Sequence, residues 1–317
     1  MYNLLCRRTN EAITKKHHEY YSEKMDVLST TSGPRAWREV NKLLTGHQTS
    51  ASPTGKDDAF VLCQNLQQYF IDKVDKITAN VSNVINSLRH PNNPHPYNSS
   101  VFKQKFSSFR LVTEDQVRQA ILNAPSKTSA SDFIPTWFLI KILDTMIHPL
   151  TRLFNLSLAL GTFPSNFKAA RVTPLLKKPN LDAAVYSNYR PISNLSFLGK
   201  TVERLVLQQL QTHLDSEPSF NVHQSGFRMH HSTETALAKI TNDILSAIDH
   251  KRVTVLALLD FSAAFDTIDH TILIERLSRY YNIHDSAVSW FASYLTGRSQ
   301  AVCIGETASC NNIIKHG

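Results

Sequence analysis

Asp260 carries the clearest chemical signal in the sequence. It ends a run of seven residues, Val253 to Leu259, in which only Thr254 is polar. A carboxylate at the end of such a strand-like run is costly to desolvate unless something compensates its charge, and a bound divalent cation is one such compensation. Alternatively, Asp260 lies at the exposed end of the strand or caps the following turn. Spacing alone leaves both interpretations open.

The elements that would position this carboxylate alternate between helix and strand. A helix is predicted after Ser232, and the continuously apolar VTVLALLDF that follows is typical of a strand in the centre of a sheet. Asp269 and Asp285 are predicted to cap the next two helices, and RSQAVCIG reads as a further strand. The pattern predicts an α+β fold.

The chain before residue 232 is predicted to be mainly helical. Thr113, followed by two acidic residues, suits a helix N-terminus. Gly161, with a proline three residues later, is a stop signal for the helical stretch that precedes it. A short β-type run, ARVTPLLKK, then leads to a long helix predicted from about Ser196 to Leu214.

Composition indicates a globular chain with a basic surface. Thirty-four Lys and Arg against 26 Asp and Glu give a formal net charge of +8, which favours a polyanionic partner. The four cysteines form no CxxC pair, so neither a zinc cluster nor a disulfide framework is indicated. No signal peptide or membrane span is predicted, and the expected location is intracellular, in the nucleus, the cytoplasm or both.

Three segments together resemble the reverse transcriptases of non-LTR (LINE-type, jockey/CR1-like) retrotransposons. LALLDFSAAFDTIDH resembles the first palm motif of that family, and RVTPLLKKPNLDAAVYSNYRPISNLSFLGKTVERLV resembles its fingers segment. HQSGFRMHHSTETAL is similar to the block that precedes a palm helix. The resemblance covers about the last two-thirds of the chain, most specifically residues 172–317.

The resemblance implies a role for each matching residue at the reaction centre. Asp260 would hold both catalytic magnesium ions, with the backbone carbonyl of Phe261 also facing the metal. Phe265 would lie under the incoming sugar and exclude ribonucleotides, although plain core packing is the alternative for a phenylalanine. Basic residues of the fingers segment would lie over the nucleoside triphosphate and template: Lys177, Lys178 and Arg190.

These basic residues suit phosphate physically. A lysine pair at a strand end offers point charges, and Arg190 can donate two parallel hydrogen bonds, whereas the alternative for all three is a solvated surface. In the third segment, Gln224 would contact a template base or sugar, or serve in a turn, and Arg228 would contact a template phosphate.

The implied architecture is the fingers and partial palm of a right-hand polymerase after a helical extension. We predict a helical N-terminal extension over residues 1–90, a linker over 91–110, a fingers-like region over 111–230 and a partial palm over 231–317. The family's second carboxylates come from an Asp-Asp hairpin. The Asp-Asp pair in this chain, residues 57–58, is interpreted as helix N-terminal acids, so the chain is expected to be truncated before that hairpin.

The expected function is that of a fragment of an RNA-directed DNA polymerase. Intact relatives use two Mg²⁺ ions, and only one full ligand, Asp260, is recognised here, so the chain alone is expected to be inactive. The implied partners are an RNA template, a nucleic-acid primer and deoxynucleoside triphosphates. Two alternatives stay open: a non-catalytic nucleic-acid-binding remnant, and an inert helical interaction protein or unstable fragment.

Overall fold

The computed structural model describes residues 15, 16, 19, 56–88, 102–125, 129, 131–216, 221 and 223–317. The chain divides into two units, residues 1–56 and 57–317. The helices expected before residue 56, and residues 89–101 with most of the Pro- and Asn-rich linker, lie outside the described residues.

Helices dominate the described chain up to residue 160. Their bounds are α1, Lys56–Leu88; α2, Glu114–Leu122; α3, Thr136–Lys141; and α4, Leu143–Leu160. Thr113 caps α2 as predicted, because its hydroxyl accepts from Gln116 N–H while the Gln116 side chain accepts from Thr113 N–H at 2.9 Å. Gly161 ends α4 in the left-handed conformation, with φ +61°.

Strands and further helices alternate through the rest of the chain. In order they are β1, Ala169–Leu176; β2, Tyr189–Asn194; α5, Phe197–Asp215; α6, Thr233–Asp249; α7, His270–Arg279; α8, Asp285–Leu295; β3, Ser299–Ile304; β4, Thr307–Ala308; and β5, Asn312–Ile313. Ser196, Ser232 and Asp269 cap α5, α6 and α7. The prediction for Asp285 is wrong by one position: His284 is the cap of α8, and Asp285 instead binds Lys105 Nζ at 2.8 Å.

One mixed sheet joins the middle of the second unit to its last strands. Its order is β2-β1-β3-β4, with β5 also paired to β3. The β1–β2 pair is an antiparallel hairpin, whereas β1 and β3 run parallel, with Ala169 beside Ser299. One face of this sheet packs on α1, where Leu66 and Phe70 meet Val172 and Val302.

The main core lies among α2, α4, α5 and α8. Trp290 of α8 is almost fully buried, its ring meets Phe163 edge-on with centroids 5.5 Å apart, and its indole N–H donates to Ser157 Oγ at 3.1 Å. Phe102 and Phe109 also contribute buried rings, so the end of the predicted linker packs against the folded unit. The predicted domain boundaries stay predictions.

The prediction of a central strand at VTVLALLDF is wrong. Residues 253–260 form neither helix nor strand, and every one of them is exposed. The sheet instead places β3 beside β1, so the apolar run lacks the neighbours that a central strand requires. Helix α6, which precedes the run, likewise has no buried residue. Asp260 therefore does not end a strand of this sheet.

Candidate nucleic-acid interface

The β1–β2 hairpin gathers the predicted basic residues of the fingers-like segment. Lys177 and Lys178 follow β1 directly, and Lys177 N–H donates to Asn188 O at 2.9 Å, so backbone pairing extends one step beyond the strand. Arg190 lies on β2, opposite Leu175. All three basic side chains are exposed. The structure thus brings Lys177, Lys178 and Arg190 onto one short hairpin.

Strand alternation gives the hairpin two different faces. Val172 turns its side chain toward helix α1, so Arg171, Thr173 and Leu175 point to the opposite face. Directly opposite residues share a face in an antiparallel pair, which places Arg190 with Leu175 on that face. This surface, termed here the hairpin face, combines basic and apolar side chains.

Arg171 belongs to the hairpin face and was missed at the sequence level. It lies four residues before Leu175, about 13 Å along the strand. Its partner across the ladder is Asn194, another polar group on the same face. Counting every second residue of ARVTPLLKK from Lys177 would have identified Arg171, because side chains alternate strictly along a strand.

A partly buried polar cluster lies next to the start of β3. Tyr294 O–H donates to Glu203 Oε1 at 2.9 Å, and Arg298 Nη1 donates to Tyr294 O at 2.9 Å. Burial raises the pKa of Glu203, and burial together with the Glu203 charge raises the pKa of Tyr294 to about 12. Arg298 directly precedes β3, so the cluster fixes where β3, and hence β1, begins.

A second candidate surface is the loop before α6. Gln224 Nε2 donates to Gly226 O at 3.1 Å, and Arg228 Nη1 lies 3.4 Å from Gln224 O. Both predicted template residues therefore support the loop's own backbone, which favours the turn role that was considered for Gln224. Phe227, between them, has φ +57° and stands 91% exposed.

Phe227 connects this loop to the segment after Asp260. Its ring meets Phe265 edge-on, with centroids 5.9 Å apart, although Phe265 itself is still 66% exposed. The alternative prediction, that Phe265 packs in the core, is therefore wrong. Phe227 is not among the residues predicted from the sequence, and its place between Gly226 and Arg228 is the signal that could have identified it. Two exposed rings and an arginine offer stacking surfaces for bases.

Comparison with known proteins shows what part of the chain is similar to. Residues 176–314, which include Asp260, Arg190 and the Phe227 loop, match the family described as reverse transcriptase (RNA-dependent DNA polymerase). The RNA-directed DNA polymerase from mobile element jockey of Drosophila melanogaster is 33% identical over 171 residues, 54% of this chain. The matched part of this chain is similar to the reverse transcriptases of non-LTR retrotransposons.

Other similar proteins also come from mobile elements of Drosophila. The probable RNA-directed DNA polymerase from transposon BS of Drosophila melanogaster is 29% identical over 207 residues, or 65% of this chain. The jockey polymerase of Drosophila funebris is 30% identical over 164 residues. Aligned residues amount to 19% of the first relative and 22% of the transposon BS protein, so the chain spans about a fifth of their length.

Reverse transcriptases generally use Mg²⁺, and the described residues do not assemble a site for it. Asp260 and Phe261 both lie in the exposed run. Among the described residues, no group of three or more His, Cys, Asp or Glu side chains could hold a metal ion. Asp269, the second acidic residue after Asp260, caps α7 by accepting a hydrogen bond from Ile272 N–H at 3.0 Å. Two-metal chemistry needs carboxylates on both ions, and the described residues do not bring such carboxylates together.

In the part of the chain that the structure describes, no helix is long and apolar enough to cross a membrane.

Proposed function

We propose that this chain binds single-stranded RNA template through the hairpin face and the Phe227 loop, and does not by itself transfer nucleotides. The hairpin would act as part of the fingers and the segment after residue 231 as part of the palm of an RNA-directed DNA polymerase. The RNA template, a nucleic-acid primer and deoxynucleoside triphosphates are the proposed partners. The relatives' printed names, RNA-directed DNA polymerases, support this proposal.

The hairpin face is the observation that carries the proposal. Arg171 and Arg190 flank Leu175 on a surface with which α1 makes no contact, since α1 packs on the reverse side. Arginine donates paired hydrogen bonds to phosphate oxygens, and the apolar side chains between the cations can contact bases or sugars. Such a mixed surface suits a flexible single strand better than a duplex, whose phosphates are rigidly spaced.

The Phe227 loop supplies the complementary feature. Its exposed ring lies next to Arg228 in sequence and against Phe265 in space, so stacking and charge are available together. A base that stacks on Phe227 would gain about 1–3 kcal/mol. We place Lys177, Lys178 and Arg190 at template and nucleotide phosphates, and Gln224 and Arg228 as supports of the loop that presents Phe227.

Binding of a labelled, unstructured RNA oligonucleotide, measured by fluorescence anisotropy at several salt concentrations, tests the proposal. Binding that weakens steeply with salt is expected. A primer-extension assay with Mg²⁺ and deoxynucleoside triphosphates is expected to show no incorporation. If nucleotide is incorporated and the Asp260→Asn variant abolishes it, the non-catalytic part is wrong. If no RNA binds even at low salt, the binding part is wrong.

A second candidate is an unstable chain without a binding role. The exposed run at residues 253–260 favours it, because uncovered apolar surface promotes aggregation. A thermal melt followed by circular dichroism distinguishes the two. A single cooperative transition with a monodisperse sample supports a folded binding protein, whereas a gradual, irreversible loss of signal supports the unstable chain.

A further inference from the structure

Asp132 ties the loop before α3 to the root of the β1–β2 hairpin. One oxygen of its carboxylate accepts a hydrogen bond from Phe197 N–H at 2.6 Å, and the other accepts one from Ser129 N–H at 2.6 Å. Phe197 is the first residue of α5 and follows β2 after Leu195 and Ser196. Hydrogen bonds to a carboxylate are shorter and stronger than those between neutral groups. Asp132 therefore holds the point at which β2 passes into the helical core.

The first turn of α5 has two separate caps. The first N–H groups of a helix have no acceptor within the helix, so other groups must supply one. Ser196 Oγ accepts from Gly199 N–H at 3.1 Å, as a local cap does, whereas Asp132 reaches Phe197 N–H from 65 residues earlier in the chain. The negative charge of Asp132 also faces the positive end of the helix dipole. The two caps together fix where α5 begins.

Strand β1 starts at the same turn of α5. Phe167, two residues before β1, packs against the first turn of α5 at Gly199. A Cβ added to Gly199 would lie 3.2 Å from Phe167 Cβ and 2.9 Å from Ser196 Oγ, so this approach depends on the missing side chain. Phe167 and Phe197 are both buried. Both strands of the hairpin are thus rooted at one turn of α5.

The root determines the position of Arg190. Among the described strands, β3 pairs with β1 from Ala169 to Val172, and β2 pairs with β1 alone. Arg190 lies four residues before Asn194, the last residue of β2, or about 13 Å along the strand. Packing against α1 limits movement out of the plane of the sheet, so the root mainly sets the direction of β2 within that plane. A tilt of about 10° there would move Arg190 by roughly 2 Å.

We propose that Asp132 is a positioning residue for the RNA-binding hairpin: it fixes the start of α5 and thereby the place of Arg190. This inference rests on the proposed function, and Asp132 itself contacts no RNA. The expected effect is opposite in sign to the effect of charge alone. An acidic group near the site repels phosphate, so its removal would by charge alone strengthen binding. Because Asp132 positions the hairpin, its removal weakens binding instead.

Asp132→Asn tests the hold on β2 without RNA. The amide keeps the shape of the side chain, but its nitrogen is a donor and cannot accept a backbone N–H group. Hydrogen exchange followed by mass spectrometry on the whole chain should show faster exchange in β2 and in the first turn of α5. Asp144→Asn is the control, because it removes the same charge from an exposed aspartate that pairs with Arg118. Its exchange in β2 should equal that of the unmodified chain.

Fluorescence anisotropy with the unstructured RNA then tests the role in binding. Asp132→Asn should weaken binding on the order of tenfold, about the value of one charged hydrogen bond, whereas Asp144→Asn should not weaken it. Arg190→Ala should cost less affinity in the Asp132→Asn chain than in the unmodified chain, because a misplaced arginine contributes less. A change that only destabilises the fold would leave the two losses additive.

Gly199→Ala is the second variant, since it disturbs the same turn without changing the charge. Its Cβ must displace Ser196 Oγ or Phe167, so it should reproduce both the faster exchange in β2 and the smaller cost of Arg190→Ala. It replaces Asp132→Asn if that chain shows no cooperative thermal melt.

Three outcomes overturn the proposal. The first is unchanged exchange in β2 in both variants, and the second is an RNA affinity that stays equal or rises when Asp132 is replaced. The third is additive losses of affinity with Arg190→Ala. If the unmodified chain binds no RNA, the proposed function fails by itself, and the exchange measurement still decides whether Asp132 holds the hairpin.

Discussion

Replacing Lys177, Lys178 and Arg190 with alanine tests the RNA-binding surface directly. All three side chains are exposed, and the ladder that holds them uses backbone groups, including Lys177 N–H to Asn188 O at 2.9 Å. Alanine keeps those backbone bonds, so the hairpin should remain folded. The substitutions therefore remove three positive charges from one hairpin without removing the scaffold that presents them.

The expected magnitude follows from counterion release. Each contact with a single-strand phosphate contributes about −0.7 to the slope of log K against log salt concentration, so three lost contacts flatten the slope by about 2. Raising salt fourfold changes log concentration by about 0.6, so the unmodified chain should lose roughly 20-fold more affinity than the triple variant over that range.

Anisotropy titrations with one unstructured RNA, repeated across salt concentrations, give these slopes. A control variant must remove the same net charge from exposed positions outside the hairpin, and the chosen set is Lys76→Ala, Lys103→Ala and Arg152→Ala. The control should keep most of the original slope. Equal slopes for both triple variants would refute the reasoning, because charge alone, without the hairpin geometry, would then explain the binding.

Three further predictions concern other parts of the chain. Phe227→Ala should weaken RNA affinity by about 1–3 kcal/mol at constant salt slope, measured by anisotropy, and an unchanged affinity would contradict base stacking there. In Gly161→Ala, the new Cβ would lie 2.7 Å from Ser286 O on a backbone with φ +61°, so urea denaturation should show that the free energy of unfolding falls by more than about 1–2 kcal/mol. In Gly305→Ala, φ is +62° but the space is open, so the free energy of unfolding should fall by less. Burial raises the pKa of Glu203, so the unfolded chain releases this proton at a lower pH than the folded chain does. The free energy of unfolding should therefore fall as pH rises from the unfolded pKa to the folded pKa of Glu203. Urea denaturation at a series of pH values should show this fall, and Glu203→Gln should flatten it.

Local signals predicted the helices well because helix ends depend on a few neighbouring residues. Thr113, Ser196, Ser232 and Asp269 each accept a backbone N–H within their own helix start, as their residue types indicate. Asp285 is the exception, because its side chain binds Lys105, which is 180 residues away in sequence. A long-range partner overrode a local preference, and no pattern near Asp285 indicates it.

Strands were predicted less well than helices, because a strand needs partners from distant segments. ARVTPLLKK and RSQAVCIG are strands because β2 and β3 pair with β1 on its two edges. VTVLALLDF has at least as strong a strand composition, yet it has no hydrogen-bonded neighbour in the described part of the chain. Strand propensity describes how well side chains fit a pleated surface, and the surface itself comes from other segments. Composition therefore could not predict whether Asp260 would lie within a sheet.

The candidate residues do not form one site in the structure, because their placement also depends on long-range neighbours. Lys177, Lys178 and Arg190 are brought together by the register of one hairpin, a local feature that sequence spacing partly encodes. Phe227 and Phe265 are 38 positions apart, and their contact depends on how the loop before α6 meets the segment after Asp260. Motif resemblance identified the residues of each segment, but a shared site requires that the segments be placed against each other. Covering the exposed run at residues 253–260 is the step that would fix Asp260 relative to both surfaces, so any catalytic role of Asp260 depends on segments that pack against that run.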